Sequence, residues 1–171
     1  MTVVMSRRGR DERGAAAVEF ALVTPLLLLI LFGIIDYGIW FADSISARQA
    51  VRDAARQGSL EQFGSCGGAT DLENLACTVK AQMDQISGTT VVRVAVAPSP
   101  SANADDAWQQ GHTLRICAMT QHQSLLPLVP FPNNGISVTR VDMPIESAAG
   151  AATRAAYTDT PFAGTDWSWC P

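Results

Sequence analysis

Sixteen consecutive uncharged residues, Phe20–Ile35 (FALVTPLLLLILFGII), constrain this chain more than any other feature. A helix rises about 1.5 Å per residue, so the stretch alone covers roughly 24 Å, short of a roughly 30 Å hydrocarbon core. Ala15–Val18 before it and Tyr37–Ala42 after it enlarge the segment to 28 residues, with Glu19 and Asp36 its only charges. About 42 Å of helix is enough to span a bilayer. Tyr37 and Trp40 fall where an interfacial aromatic belt belongs, and Asp36 is expected to be interfacial and solvated. Arg7, Arg8, Arg10 and Arg13 precede the span, whereas the first basic residue after it is Arg48. The positive-inside bias therefore predicts a single-pass protein of the cytoplasmic membrane, N-terminus cytoplasmic, with everything after about Ala42 exported.

Composition narrows the rest. The 171 residues carry 12 basic and 16 acidic groups, and 47% are apolar. That suits one modest domain plus an anchor and excludes a disordered chain. Past residue 14 the net charge is −6, which argues against a nucleic-acid partner. All four cysteines, Cys66, Cys77, Cys117 and Cys170, lie in the exported part, where an even count reads as up to two disulfides. Three pairings are possible, and Cys66–Cys77 with Cys117–Cys170 is favoured. No C-x-x-C pair exists and neither His112 nor His122 stands at ligand spacing, so no metal and no cofactor are expected.

The expected fold class is α+β. A long helix over 15–58 comprises a membrane span at about 15–42 and an extension over 43–58, where Ala47, Ala50, Val51, Ala54 and Ala55 recur at helical spacing. Gly58 is its natural end. The alanine stripe fits packing under the chain's own head, against a neighbouring subunit, or both. Arg48, Arg52 and Arg56 line another face.

The head, 59–171, is predicted to hold one helix on a three-stranded antiparallel sheet. Thr70-Asp71-Leu72-Glu73 has capping-box spacing and starts the helix. Thr89–Ala97 and His112–Thr120 alternate as strands. Gly135–Glu146 is a third strand whose apolar phase shifts near Arg140, as at a bulge. Leu125–Pro132 holds three prolines and cannot be a central strand. Residues 147–165, rich in Ala, Gly and Thr, are expected to be flexible. Trp167–Pro171 is expected to dock on the head.

The chemistry concentrates at the start of the span. Gly14-Ala15-Ala16-Ala17-Val18-Glu19-Phe20 places a carboxylate inside an apolar segment, five residues after a glycine. An acid in mid-membrane costs about 2.5–3.5 kcal/mol on insertion scales, which snorkelling toward the headgroups or a cation at the same depth would relieve. Cleavage after Gly14 creates such a cation, because the new amine of Ala15 lies one turn before Glu19 on the same helix face. In an assembly, Glu19 of one chain can instead neutralise the amine of the next and so fix an axial register. Pro25 removes a backbone donor and is expected to kink the span. Gly33 and Gly38 are close-approach points for another helix.

The basic leader at 1–14, Gly14, Glu19, Phe20 and the immediate apolar run resemble the processing site of type IV pilin-like precursors. RGAAAVEFALVTPLLLLILFGIIDYG resembles TadE-like pseudopilins of the tight-adherence (Flp) pilus system, and ISARQAVRDAARQGS fits the same family. The order of strand, LLPLVPFP and a closing strand with RVDMPIE is also similar. The resemblance implies a minor pilin that takes part in pilus assembly and supports surface attachment. It implies cleavage between Gly14 and Ala15 by a prepilin peptidase, with methylation of Ala15. Implied partners are that peptidase, other pilins and pseudopilins, inner-membrane assembly proteins and membrane lipid. Flp-type sites often carry Tyr after the Glu; Phe20 favours the pseudopilin branch.

Two other classes compete. A secreted enzyme would need its signal cleaved near Ala47, in the middle of an uninterrupted helical pattern. His112 and His122 are isolated in sequence and Asp105-Asp106 reads as a solvated turn, so no catalytic residues are nominated. A single-span anchored binding protein would show cleavage at neither Ala15 nor Ala47.

Overall fold

The computed structural model describes residues 12–83, 88–97, 108–124, 131–147 and 154–171. The leader at 1–11, the Asp105-Asp106 pair and Leu125–Pro130 lie outside the described residues. The order of elements is α1 (Glu12–Ser59), α2 (Asp71–Met83), β1 (Gly88–Ala97), β2 (Thr113–His122), a short 3-10 turn (Pro132–Gly135), β3 (Ile136–Pro144) and β4 (Tyr157–Thr158).

At 48 residues, α1 is about 72 Å long. Its first half is bare: Phe20, Leu22, Leu26 and Ile34 are all largely exposed. From Asp36 onward one side is covered. Asp36, Asp43, Ala47, Ala50, Val51, Ala54, Ala55 and Gly58 are buried, with separations of three, four and seven residues recurring among them, the pattern of a helix laid on a core. The alanine stripe therefore packs under the chain's own head. Small residues are required there: a Cβ on Gly58 would come within 2.5 Å of a Leu114 methyl and 2.8 Å of one on Leu75.

The capping box forms at α2. The Glu73 amide donates to Thr70 Oγ1 at 3.2 Å, and Glu73 Oε2 accepts from the Ala69 amide at 2.8 Å. Leu72, Leu75, Ala76, Val79 and Met83 make its buried face.

The sheet is antiparallel with order β3-β2-β1-β4. Both helices lie on one face, where Val92, Val94, Leu114, Ile116 and Ala118 join the helical core. The opposite face is covered by the C-terminal segment: Cys117, Met119 and Ile136 pack with Trp167 and Cys170. Central β2 is thus buried on both sides. Arg93 Nη1 donates to the Cys170 carbonyl at 2.8 Å, Arg115 to that of Pro171, and Arg140 to that of Trp169 at 3.5 Å. Three neighbouring strands each contribute one arginine to hold the tail.

Three expectations are corrected. The sheet has four strands, because Tyr157 and Thr158 pair with Val94 and Arg93 in the stretch expected to be flexible. Charge anchors this short strand: Lys80 Nζ lies 2.6 Å from Asp159 Oδ2, which also accepts from the Val92 amide at 2.8 Å. Next, β3 contains no bulge. Its register with β2 is constant from Thr113↔Pro144 to Gln121↔Ile136. The apparent phase shift arises because Ile136, at the start of the strand, meets the tail on one face, whereas Val141 and Met143 meet the helices on the other. Finally, Asp36 is fully buried rather than solvated.

Disulfides join Cys66 to Cys77 and Cys117 to Cys170, with Cα–Cα distances of 5.8 and 6.3 Å. The first closes the loop before α2. The second fastens the tail to β2.

Candidate assembly segment and helix collar

Gly14 and Ala15 lie in the first turn of α1, and Glu19 follows one turn later on the same face. Phe20 is 68% exposed and Glu19 is exposed, with no salt bridge among the described residues. The structure thus brings no basic group of the described chain to Glu19. Thr24 Oγ1 donates to the Phe20 carbonyl at 2.6 Å, a local bond common where a proline interrupts the helical ladder. Helical geometry continues through Pro25. A Cβ built on Gly14, Gly33 or Gly38 meets nothing within 4 Å. These glycines therefore serve no packing need among the described residues, and the space beside them is open to another helix.

Where the bare half of α1 enters the head, a polar collar holds it, which sequence reasoning missed. Ser124 Oγ donates to Asp36 Oδ2 at 2.9 Å. Two turns on, Asp43 Oδ2 stands 3.4 Å from His122 Nδ1, both side chains almost fully buried. Phe131 completes the ring, with centroids 5.0 Å from Tyr37, 5.1 Å from His122 and 6.3 Å from Trp40. Tyr37 and Trp40, read as belt residues, thus also form part of the contact between helix and head. His122 is not isolated in space, whereas the buried His112 ring finds no hydrogen-bond partner among the described residues. The seven-residue spacing of Asp36 and Asp43 is the one signal that put both acids on the head-facing stripe.

Burial of these two acids changes the helix surface. Between Glu19 and Arg48 they are the only charged residues, and neither is exposed. The open side of α1 is therefore free of charge for 29 residue steps, about 44 Å, which equals a bilayer with its headgroups.

A second cluster fixes the far end of the head. Arg154 stacks over Phe63 at 4.5 Å and Trp108 at 4.9 Å and pairs with Asp71 and Glu61. On the β4 side, burial works against the Asp159 charge, but bonds from Lys80, the Val92 amide and Tyr157 outweigh it and hold the carboxyl below its usual range. Burial likewise works to lower the Lys80 pKa; the pairing with Asp159 and Tyr157 overrides it and raises the ammonium. Hydrogen bonding to Asp159, then burial, raises the Tyr157 hydroxyl. These are structural clasps. Among the described residues no three His, Cys, Asp or Glu side chains gather as a metal site would require.

Residues 14–56 match the family model described as TadE-like protein. The match begins at Gly14 and covers α1 almost to its end, without reaching the head. It identifies the N-terminal helix as TadE-like and is consistent with a pilin-like protein of the tight-adherence system. No curated protein and no solved structure matches the chain significantly.

Proposed function

We propose that this TadE-like chain is a minor pilin, or pseudopilin, that takes part in assembling a tight-adherence pilus and so supports surface attachment. The observation that carries this reading is the family match starting at Gly14 and running along the apolar helix. A prepilin peptidase cuts between Gly14 and Ala15, leaving an amine one turn before Glu19. The helix then anchors the chain in the cytoplasmic membrane, with the head outside. Two disulfides suit an exported head. Gly33 and Gly38, which no side chain of the described head covers, are the approach points for neighbouring pilins and assembly-platform helices.

In this account Glu19 neutralises the terminal amine of its own or an adjacent subunit. A charge left alone at the centre of a bilayer costs about 2.5–3.5 kcal/mol; Glu19 lies nearer the cytoplasmic end, where a smaller penalty of the same sign selects one axial register. Glu19→Ala is therefore expected to insert in the membrane at wild-type level while surface piliation is lost. Normal piliation by that variant would refute the pairing.

A further inference from the structure

Alongside α1, on the side away from α2, runs a groove shared with β3. Two adjoining cavities of about 310 and 290 Å³ make it up. The end nearer the membrane span is lined by Trp40, Phe41, Ile45 and Val138. Phe41, Ile45 and Val138 are 57%, 56% and 48% exposed, unusually bare for large apolar side chains on a folded head. The other end is lined by Arg48 and Arg52, with Thr139 between. Arg140 also borders it, but its guanidinium is bound to Asp142 at 2.6 Å. Arg48 and Arg52 have no ion-pair partner among the described residues.

We infer that this groove seats an anionic phospholipid of the leaflet on the head's side. Its apolar end continues the lipid-facing stripe of the span: Val23, Leu27, Ile30, Ile34, Phe41 and Ile45 follow at helical spacing, and all are exposed. Its cationic end begins at Arg48, where the charge-free side of the helix ends. Counted from Glu19, that point is about 44 Å along the axis, the level of the far headgroups. Helical side chains lean toward the N-terminus, so Arg48 and Arg52 reach back toward the bilayer rather than away from it. An acyl chain lies against Phe41 and Ile45, and the phosphate meets the two guanidinium groups. A neighbouring helix could fill an apolar groove equally well. Two arginines at headgroup depth, without an ion-pair partner among the described residues and continuous with the membrane-facing surface, favour the lipid.

The inference rests on α1 spanning the membrane, and the test separates the two. Full-length protein in detergent is titrated with phosphatidylglycerol or phosphatidylcholine vesicle lipid, and retained lipid is counted by native mass spectrometry. Wild type is expected to retain phosphatidylglycerol with a preference on the order of tenfold, given two arginines at an anionic surface. R48Q/R52Q is expected to lose the preference, and Ile45→Ser to weaken retention of both lipids, with disulfides and circular dichroism unchanged. Equal retention of the two lipids by wild type, or an unaltered preference in R48Q/R52Q, overturns the groove. So does a photoreactive residue at Val138 that labels a polypeptide instead of lipid in membranes. Resistance to alkaline carbonate extraction together with any of those results leaves the span standing and removes the lipid site alone. Release by carbonate removes both.

Discussion

Asp43 on α1 and His122 at the end of β2 stand 3.4 Å apart, with 5% and 2% of their side chains exposed. Together with Asp36 and Ser124 they make the joint between the bare half of α1 and the head a polar one, beside the aromatic contacts of Phe131. A buried polar pair sets position because every displacement leaves one member without its partner.

Removing either partner should cost about 1–3 kcal/mol, since the other remains buried. His122→Ala and Asp43→Ala are each expected to lower the thermal midpoint of the full-length protein in detergent. The double variant should lose less than the sum, because the second change no longer strands anything. Strictly additive losses would show that the two do not work as a pair.

The two disulfides should differ in weight. Cys117–Cys170 closes 53 residues and is fully buried under the tail, whereas Cys66–Cys77 closes 11 residues at the surface. Chain entropy alone favours the longer closure, in a range of about 2–4 kcal/mol. C117S/C170S is therefore expected to be the less stable double variant, with Trp167 and Trp169 fluorescence shifted toward that of exposed indole. Equal unfolding midpoints for C66S/C77S and C117S/C170S would contradict this assignment.

The β4 clasp predicts an acid limb. The folded Asp159 carboxyl lies below its ordinary value of 3.8. Its contribution is therefore present above about pH 4 and lost as pH falls through the folded value. Lys80 is raised above 10.5, so its contribution holds below that and is lost only in stronger alkali. Asp159→Asn should destabilise the head at neutral pH by about 1–2 kcal/mol and flatten the loss seen as pH falls below about 4. A variant with the wild-type acid profile would remove Asp159 from that role.

Much of this architecture is legible in the residues because it is periodic. The three- and four-residue steps through Ala47, Ala50, Val51, Ala54 and Ala55, the box at Thr70–Glu73 and the alternation in Thr89–Ala97 are local patterns, and each became the element it announces. What escaped depends on distant partners. Asp36 meets Ser124 across 88 residues, so beyond its seven-residue spacing from Asp43 nothing near it in sequence marks it as buried or names its partner. β4 is two residues long, too short for any alternation, and Lys80 and Val92 hold it through Asp159. The phase change near Arg140 reflects a change of face along one regular strand: Ile136 is buried against the tail, whereas Val141 and Met143, after Arg140, turn to the helices. At the assembly segment, the spacing from Gly14 to Glu19 is visible at once, but the partner proposed for Glu19 is an amine that only cleavage would create.

The central claim is that a cut after Gly14 turns this precursor into a subunit with an amine one turn from Glu19. Terminal sequencing and intact mass of the membrane-extracted protein test it directly. The account predicts a mature chain beginning at Ala15, and retention of the leader when Gly14 is substituted. A wild-type chain that keeps its leader, or one that begins beyond Ala42, would contradict it.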